Sequence, residues 1–276
     1  MEQLEKTMYS TIETIDSERV RLATYFRTLG ADDWKKETYC PDWNASQIVG
    51  HLTLGAQFYA STVGNGLEGN HGFPLGASDR EEFMALRTSI MDEIAALDGD
   101  TLVDRFDEDT RKVISLFRSL GPKDYEKTAW HRRGILPIPY FVIQRTYEFS
   151  LHEWDILNEP GAPLHPAALD QAADNLRLRI PMIYNTNPDL KLEGRFRFET
   201  TDTGHVWAMS IENEKASALS EAEGEFDVSL FAPASDMILM ATGRADIDAK
   251  EATGAFRIEG ETAKARALIP AIFFPN

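Results

Sequence analysis

Up to about residue 158 the apolar positions recur at the three-to-four-residue spacing of helices, and beyond it short runs alternate with period two. One helix is predicted roughly from Glu2 to Leu29, stopping at Gly30. In "CPDWNASQIVGHL", Pro41 blocks the preceding helix, Asn44 is a good N-cap and Gln47 completes a capping box. The helix opened there carries Ile48, Leu52, Phe58 and Val63 towards Gly64. A Gly-rich loop follows, and Ser78 with Glu81 forms a second capping box for a helix to about Leu97. A further helix fits Thr101 to Leu120. Pro137 and Pro139 keep "WHRRGILPIPYF" from being regular throughout, and a helix from Tyr140 to Leu157 comes next. Helices with short loops predict an up-and-down four-helix bundle.

In the second half, "HPAALDQAADNLRLRIPMIY" reads as one amphipathic helix. "LKLEGRFRFET" and "HVWAMSIEN" alternate and are joined by "TDTG", a hairpin signature, and "ASALSEA" and "EFDVSLFA" supply two more strands. "SDMILMATGR" is a short apolar helix capped by Ser235, "GAFRIEGE" a last strand and "TAKARALIPAIFF" a last helix. These elements predict an α+β domain with an antiparallel sheet. The Pro/Gly cluster at 159–166 separates the two parts, so the chain is expected to fold as two domains, 1–160 and 166–276.

The 276 residues are 43% apolar and 26% charged, a globular composition. The net charge is −17, both halves are acidic and neither has a basic run, so a phosphate backbone would be repelled and nucleic-acid binding is disfavoured. No apolar run approaches the roughly 20 residues of a membrane span, and the charged N-terminus lacks a signal-peptide core, which predicts a cytoplasmic protein without a membrane partner. The lone Cys40 excludes an internal disulfide and a Cys-rich zinc module. It lies about three turns upstream of His51 and reads as a small buried hydrophobe rather than a nucleophile.

The candidate chemistry lies in "YEFSLHEWDI", residues 147–156. Its helix is apolar on most sides, and its polar stripe is Gln144, Glu148, His152 and Asp155. Burying a carboxylate and an imidazole without partners costs roughly 2–7 kcal/mol per polar group, so these side chains must face something that satisfies them. Glu and neutral His are natural zinc ligands. His51, two turns into the helix capped by Asn44, is the third candidate ligand, giving three protein donors and an open position.

"W34…CPDWNASQIVGHL" followed about a hundred residues later by "YEFSLHEWDI" resembles the DinB-like metal-binding bundles, and more narrowly the N-terminal domain of mycothiol-dependent maleylpyruvate isomerases. The stretch from "EFDVSLFAPASDMILMATGR" to "TAKARALIPAIF" resembles a sterol-carrier-protein-like domain, which follows the bundle in that family. The resemblance implies His51, Glu148 and His152 as ligands of a divalent metal, with zinc the expected ion. It implies a low-molecular-weight thiol, mycothiol in the family, as cofactor and a small-molecule substrate as partner. Asp155 matches an acidic position that orients a ligand, or else is a helix-end charge. Arg244, in "TGR", matches an arginine required for activity and could pair two carboxylate oxygens, or sit in a surface turn. His131, Arg132 and Arg133 form a local positive site suited to an anionic thiol, or offset nearby acids; a loop position leaves His131 and His71 exposed. The family pattern ends soon after its arginine, whereas 32 residues follow Arg244. The activity implied is isomerisation or S-transfer by a metal-activated thiolate on a small electrophile, dicarboxylic in the family. The alternative is a non-catalytic carrier, with the apolar residues at 231, 237–240 and 272–274 lining a ligand cavity or simply forming the core.

Overall fold

The computed structural model describes residues 2–186 and 191–273. The chain divides into two compact units, Met1–Glu159 and Pro160–Asn276. In the first, helices α1 (Glu2–Phe26), α2 (Ala45–Leu67), α3 (Arg80–Ala95), α4 (Gly99–Arg118) and α5 (Ile138–Leu157) are joined by connections of unequal length and one hairpin, β1 (Thr128–His131) with β2 (Gly134–Pro137). Helices α1, α2, α4 and α5 pack together as the bundle, and α3 lies along α2. Phe26, Leu52, Phe106 and Phe149 are sealed in its core.

The caps follow local chemistry. Asn44 accepts from Gln47 N while Gln47 Oε1 accepts from Asn44 N at 2.9 Å, which starts α2 where the sequence predicts. The cap of α3 is Asp79, which accepts from Glu82 N, one residue beyond the expected Ser78; Ser78 instead donates its backbone N–H to Glu82. Helix α2 continues past Gly64 to Leu67, and Gly66 lets β1 approach closely: a Cβ there would sit 2.5 Å from the Thr128 carbonyl. The Pro-containing stretch before α5 forms the hairpin, closed by His131 opposite Gly134. Pro137 then caps α5, and Pro139 falls in the first turn, where a missing N–H costs nothing.

In the second unit α6 (Leu169–Asp174) and α7 (Leu176–Tyr184) replace the single expected helix. They break at Asn175, a weak helix-interior residue, and Pro181 removes an N–H within α7. The sheet has the order β5-β4-β3-β6-β7, from β3 (Gly194–Thr200), β4 (Val206–Glu212), β5 (Lys215–Ala218), β6 (Val228–Ala232) and β7 (Arg257–Gly260). Its pairs are antiparallel except β3 with β6, because the chain crosses from the β5 edge to the far side of β3 before adding β6. Phe196 and Phe198 point into the core and alternate with Arg195, Arg197 and Glu199. Helix α8 (Ala234–Met240) follows Pro233; Ser235 does not cap it but accepts from Leu164 N at 2.8 Å. Helices α9 (Ile247–Ala252) and α10 (Thr262–Leu268) flank β7. Met237, Ile238, Leu239, Met240 and Ile272 are sealed, Phe231 is nearly so, and Phe274 lies outside the described residues. No described helix is long and apolar enough to cross a membrane.

Candidate metal centre

The cap at Asn44 sets the phase of α2 and so aims His51 at α5. There, Nε2 of His51 and Nε2 of His152 each lie 3.3 Å from the same atom, Oε2 of Glu148. Gln144, one turn before Glu148, donates to its other oxygen, Oε1. His152 Nδ1 is bonded at 2.9 Å to Asp155 Oδ2, which leaves Nε2 as the nitrogen turned to the centre. Asp155 also accepts from the Cys40 thiol at 3.3 Å, and its backbone carbonyl accepts from Tyr39 N at 2.9 Å. The polar stripe of α5 is thus satisfied largely by itself and by the segment leading into α2.

One donor atom from each of His51, Glu148 and His152 falls within 4.8 Å of the others, a grouping that could hold a metal ion. A second grouping, Cys40, His152 and Asp155, shares His152 but is buried throughout. The side chains of His51 and Glu148 keep 22% and 19% of their exposure, whereas those of His152 and Asp155 keep 4% and 0%. The first grouping therefore has an open side and the second does not. The Trp43 ring borders the opening, 5.0 Å from the His51 ring and 6.3 Å from that of His152.

Burial pushes His51 down to about 4, against its hydrogen bond to Glu148 and with the positive field of His152 and Arg87. Burial would raise Glu148, but the hydrogen bonds from His152 and His51 hold it well below the usual carboxylate range. Burial would lower His152, but Asp155, Cys40 and Glu148 hold it well above the usual imidazole value. The protein alone thus keeps a cation, the His152 imidazolium, between two carboxylates. Nδ1 of His51 is buried without a partner, a cost of about 1–3 kcal/mol.

The other sequence candidates lie elsewhere. His131 is buried, not exposed, with its ring 6.3 Å from Phe58, 5.7 Å from Tyr140 and 6.0 Å from Phe141. The hairpin, invisible to a reading that took this stretch as irregular, is what turns it inward. Arg132 is exposed in the hairpin turn, and Arg133 N approaches His131 Nδ1 at 3.4 Å. His71 is exposed and bonds Thr128. Arg244 belongs to the second unit and is buried rather than in a surface turn; its Nη1 donates to the Thr242 carbonyl at 3.1 Å. Cys40 is closer to the centre than its distance from His51 along the chain suggests, because the turn-containing segment before α2 folds back onto the end of α5. Arg87 on α3 escaped the sequence reading altogether; the available signal was one cation in the apolar row Phe83, Arg87, Met91, Ile94.

Residues 15–157 match the model of the mycothiol maleylpyruvate isomerase N-terminal domain, and residues 189–272 that of the SCP-2 sterol transfer family. A crystal structure of a histidine-to-alanine mutant of the mycothiol-dependent maleylpyruvate isomerase is 12% identical, with 94% of each chain covered and a TM-score of 0.61. A second crystal structure of the mycothiol-dependent maleylpyruvate isomerase is 14% identical, covering 88% of this chain and 90% of its own, with a TM-score of 0.59. No curated protein matches the chain. An overlap of 94% leaves fewer residues unmatched than the 32 after Arg244, so at least part of that tail aligns with the isomerase fold. With a match spanning more than half of its length and covering the helices that carry His51, Glu148 and His152, the chain belongs to the mycothiol maleylpyruvate isomerase family.

Proposed function

We propose that the protein is a metal- and thiol-dependent isomerase or S-transferase of small electrophiles, with a divalent cation, zinc by donor chemistry, held by His51, Glu148 and His152. The observation that carries this reading is the sharing of Glu148 Oε2 by two imidazole nitrogens from different helices, each at 3.3 Å. Two donors on one tetrahedral zinc, bound at about 2.0–2.1 Å, stand about 3.3 Å apart, so the residues fit the ion. When bound, the cation and a low-molecular-weight thiol together supply a thiolate nucleophile at neutral pH, able to add to an activated double bond. Asp155 fixes the tautomer and ring plane of His152. His51, kept neutral by burial, can bind the ion through Nε2 with no net proton release, its single N–H then standing on Nδ1. Trp43 walls one side of the opening and limits water there. In this reading Arg244 binds a carboxylate of the substrate or thiol, and His131, Arg132 and Arg133 flank the thiol. A cytoplasmic location agrees with a thiol-dependent reaction.

The test is turnover of maleylpyruvate by zinc-loaded protein with mycothiol, with glutathione and with no thiol. Activity that requires both metal and thiol supports the reading, and Arg244→Ala is expected to abolish it while zinc content stays at one per chain. Zinc-loaded protein that is inert with every thiol, yet takes up a fatty acid, would favour the apolar-ligand carrier.

A further inference from the structure

Helix α3 presents Phe83, Arg87, Met91 and Ile94 along one face, spaced four, four and three residues apart. Phe83, Met91 and Ile94 are buried, and Phe83 packs 5.9 Å from Phe58 on α2 and 4.9 Å from Trp130 on β1. The seam position between them is held by a half-buried arginine. Arg87 makes no hydrogen bond or ion pair with a described residue, and its nitrogens stay open to solvent. Most cations of this acidic chain sit against carboxylates. The groups whose charge Arg87 feels are Arg132, which opposes it, and Glu148; His51 in turn feels Arg87.

A second cation deepens the imbalance. Arg145 on α5 is 1% exposed and forms no ion pair with a described residue. It donates to Thr110 Oγ1 at 3.0 Å and stacks 4.4 Å above the Phe149 ring, and its field reaches Glu148. Burying a guanidinium without an anion costs several kcal/mol, as an order of magnitude. With a divalent ion on the three donors, the charges of Glu148 and Asp155 are matched by the ion, and Arg87 and Arg145 remain without an anion. A small anionic ligand at the open side of the site supplies what is missing.

We infer that Arg87 binds a carboxylate of the substrate beside the His51, Glu148 and His152 donors. Arg132 adds only its positive field at the rim. The inference rests on the isomerase reading for what is bound and adds the group that anchors it. A planar guanidinium fits a carboxylate with two parallel hydrogen bonds, which orients a flat conjugated acid against the metal-binding face.

The experiment is calorimetric titration of the zinc-loaded full-length protein with maleate, a small cis-dicarboxylate that is not turned over, on the parent protein and on Arg87→Gln, Arg87→Lys and Arg132→Gln. Arg87→Gln is expected to weaken maleate binding at least about tenfold with zinc still at one per chain, Arg87→Lys to recover part of that loss, and Arg132→Gln to weaken it less. N-acetylcysteine and N-acetylcysteamine, thiols with and without a carboxylate, form a second arm. A Gln variant that loses discrimination between these thiols while binding maleate as before would assign the anion to the thiol and overturn the inference. Maleate affinity of Arg87→Gln within about twofold of the parent, or no maleate binding to the parent at about 10 mM, would also overturn it. Arg87-dependent maleate binding in a protein without thiol-dependent turnover would keep the anion site and discard the isomerase reading. Thiol-dependent turnover with an unchanged KM in Arg87→Gln would keep that reading and discard the anion site.

Discussion

Helices α5 and α8 are both buried on nearly every side, and both bury acids. In α8 each buried polar side chain has its own dedicated partner: Lys250 lies 2.7 Å from Asp236, and Ser235 accepts from the Leu164 backbone. In α5 Glu153 likewise has a private partner, Arg21 at 2.5 Å, but Glu148, His152 and Asp155 pair with one another and with His51, around one carboxylate oxygen and one imidazolium. The difference separates structural polar burial from a site. A pair with a private partner closes on itself, whereas Glu148 and His152 share donors and acceptors that a cation can take over.

Removing a member of the shared set tests this most severely. His152→Ala is expected to reduce zinc from one per chain to none under chelator competition, a loss beyond the roughly 10–100-fold typical of an outer partner. The packed faces of α5 should keep the unit folded, while the metal-free variant loses stability on the order of 3–5 kcal/mol because two buried carboxylates lose their cation. Retained stoichiometric zinc would sink the ligand assignment.

Asp155→Asn and Asp236→Asn set the two helices against each other directly. The first should weaken zinc binding about 10–100-fold, because His152 loses the charged acceptor that orients it and keeps at best a neutral amide oxygen. The second should leave zinc binding alone and lower the melting temperature through the broken Lys250 pair, worth about 1–3 kcal/mol. Equal effects of both on zinc would erase the distinction drawn here.

The pH dependence of the metal-free protein is a milder probe. His152, raised in the folded state, contributes stability that is fully present below its unfolded value near 6.5 and is lost as pH rises through its folded value. His51, lowered to about 4, costs stability as pH falls from 6.5, because only the unfolded chain takes up that proton; the loss is about 3 kcal/mol by pH 4. Glu148, depressed by its imidazole partners, loses its contribution as pH falls below about 4.5. Denaturant unfolding of the apo protein should therefore show maximal stability near pH 6.5. Zinc affinity should instead climb through and beyond that pH, since the ion must displace the His152 proton. A flat zinc affinity between about pH 6 and 8 would contradict the proton assigned to His152.

The smallest change is expected of Cys40→Ser. A hydroxyl can still donate to Asp155, so zinc stoichiometry and any thiol-dependent turnover should persist, with affinity altered by less than about tenfold. Loss of zinc in this variant would move the ion to the sealed Cys40, His152 and Asp155 grouping.

Much of this molecule was legible in the chain because the relevant signals are local. The capping box at Asn44 and Gln47 starts α2 and so phases His51. The four-residue spacing of Glu148 and His152 puts them on one face, and period two in the second unit marks the strands carrying Phe196 and Phe198. What escaped depends on contacts distant in sequence. The hairpin of "TAWHRRGILP" needed its cross-strand partner to exist, and only that pairing buries His131. The parallel seat of β6 beside β3 is a choice of sheet edge that no local pattern encodes. Cys40 meets Asp155 across 115 positions, and Arg87 looks like an ordinary surface cation until the apolar row around it is packed. The sequence by itself determined which side chains share a helix face, since that follows from 3.6 residues per turn. Only the tertiary structure decided which faces meet, and with that which buried charges have a private partner and which share one.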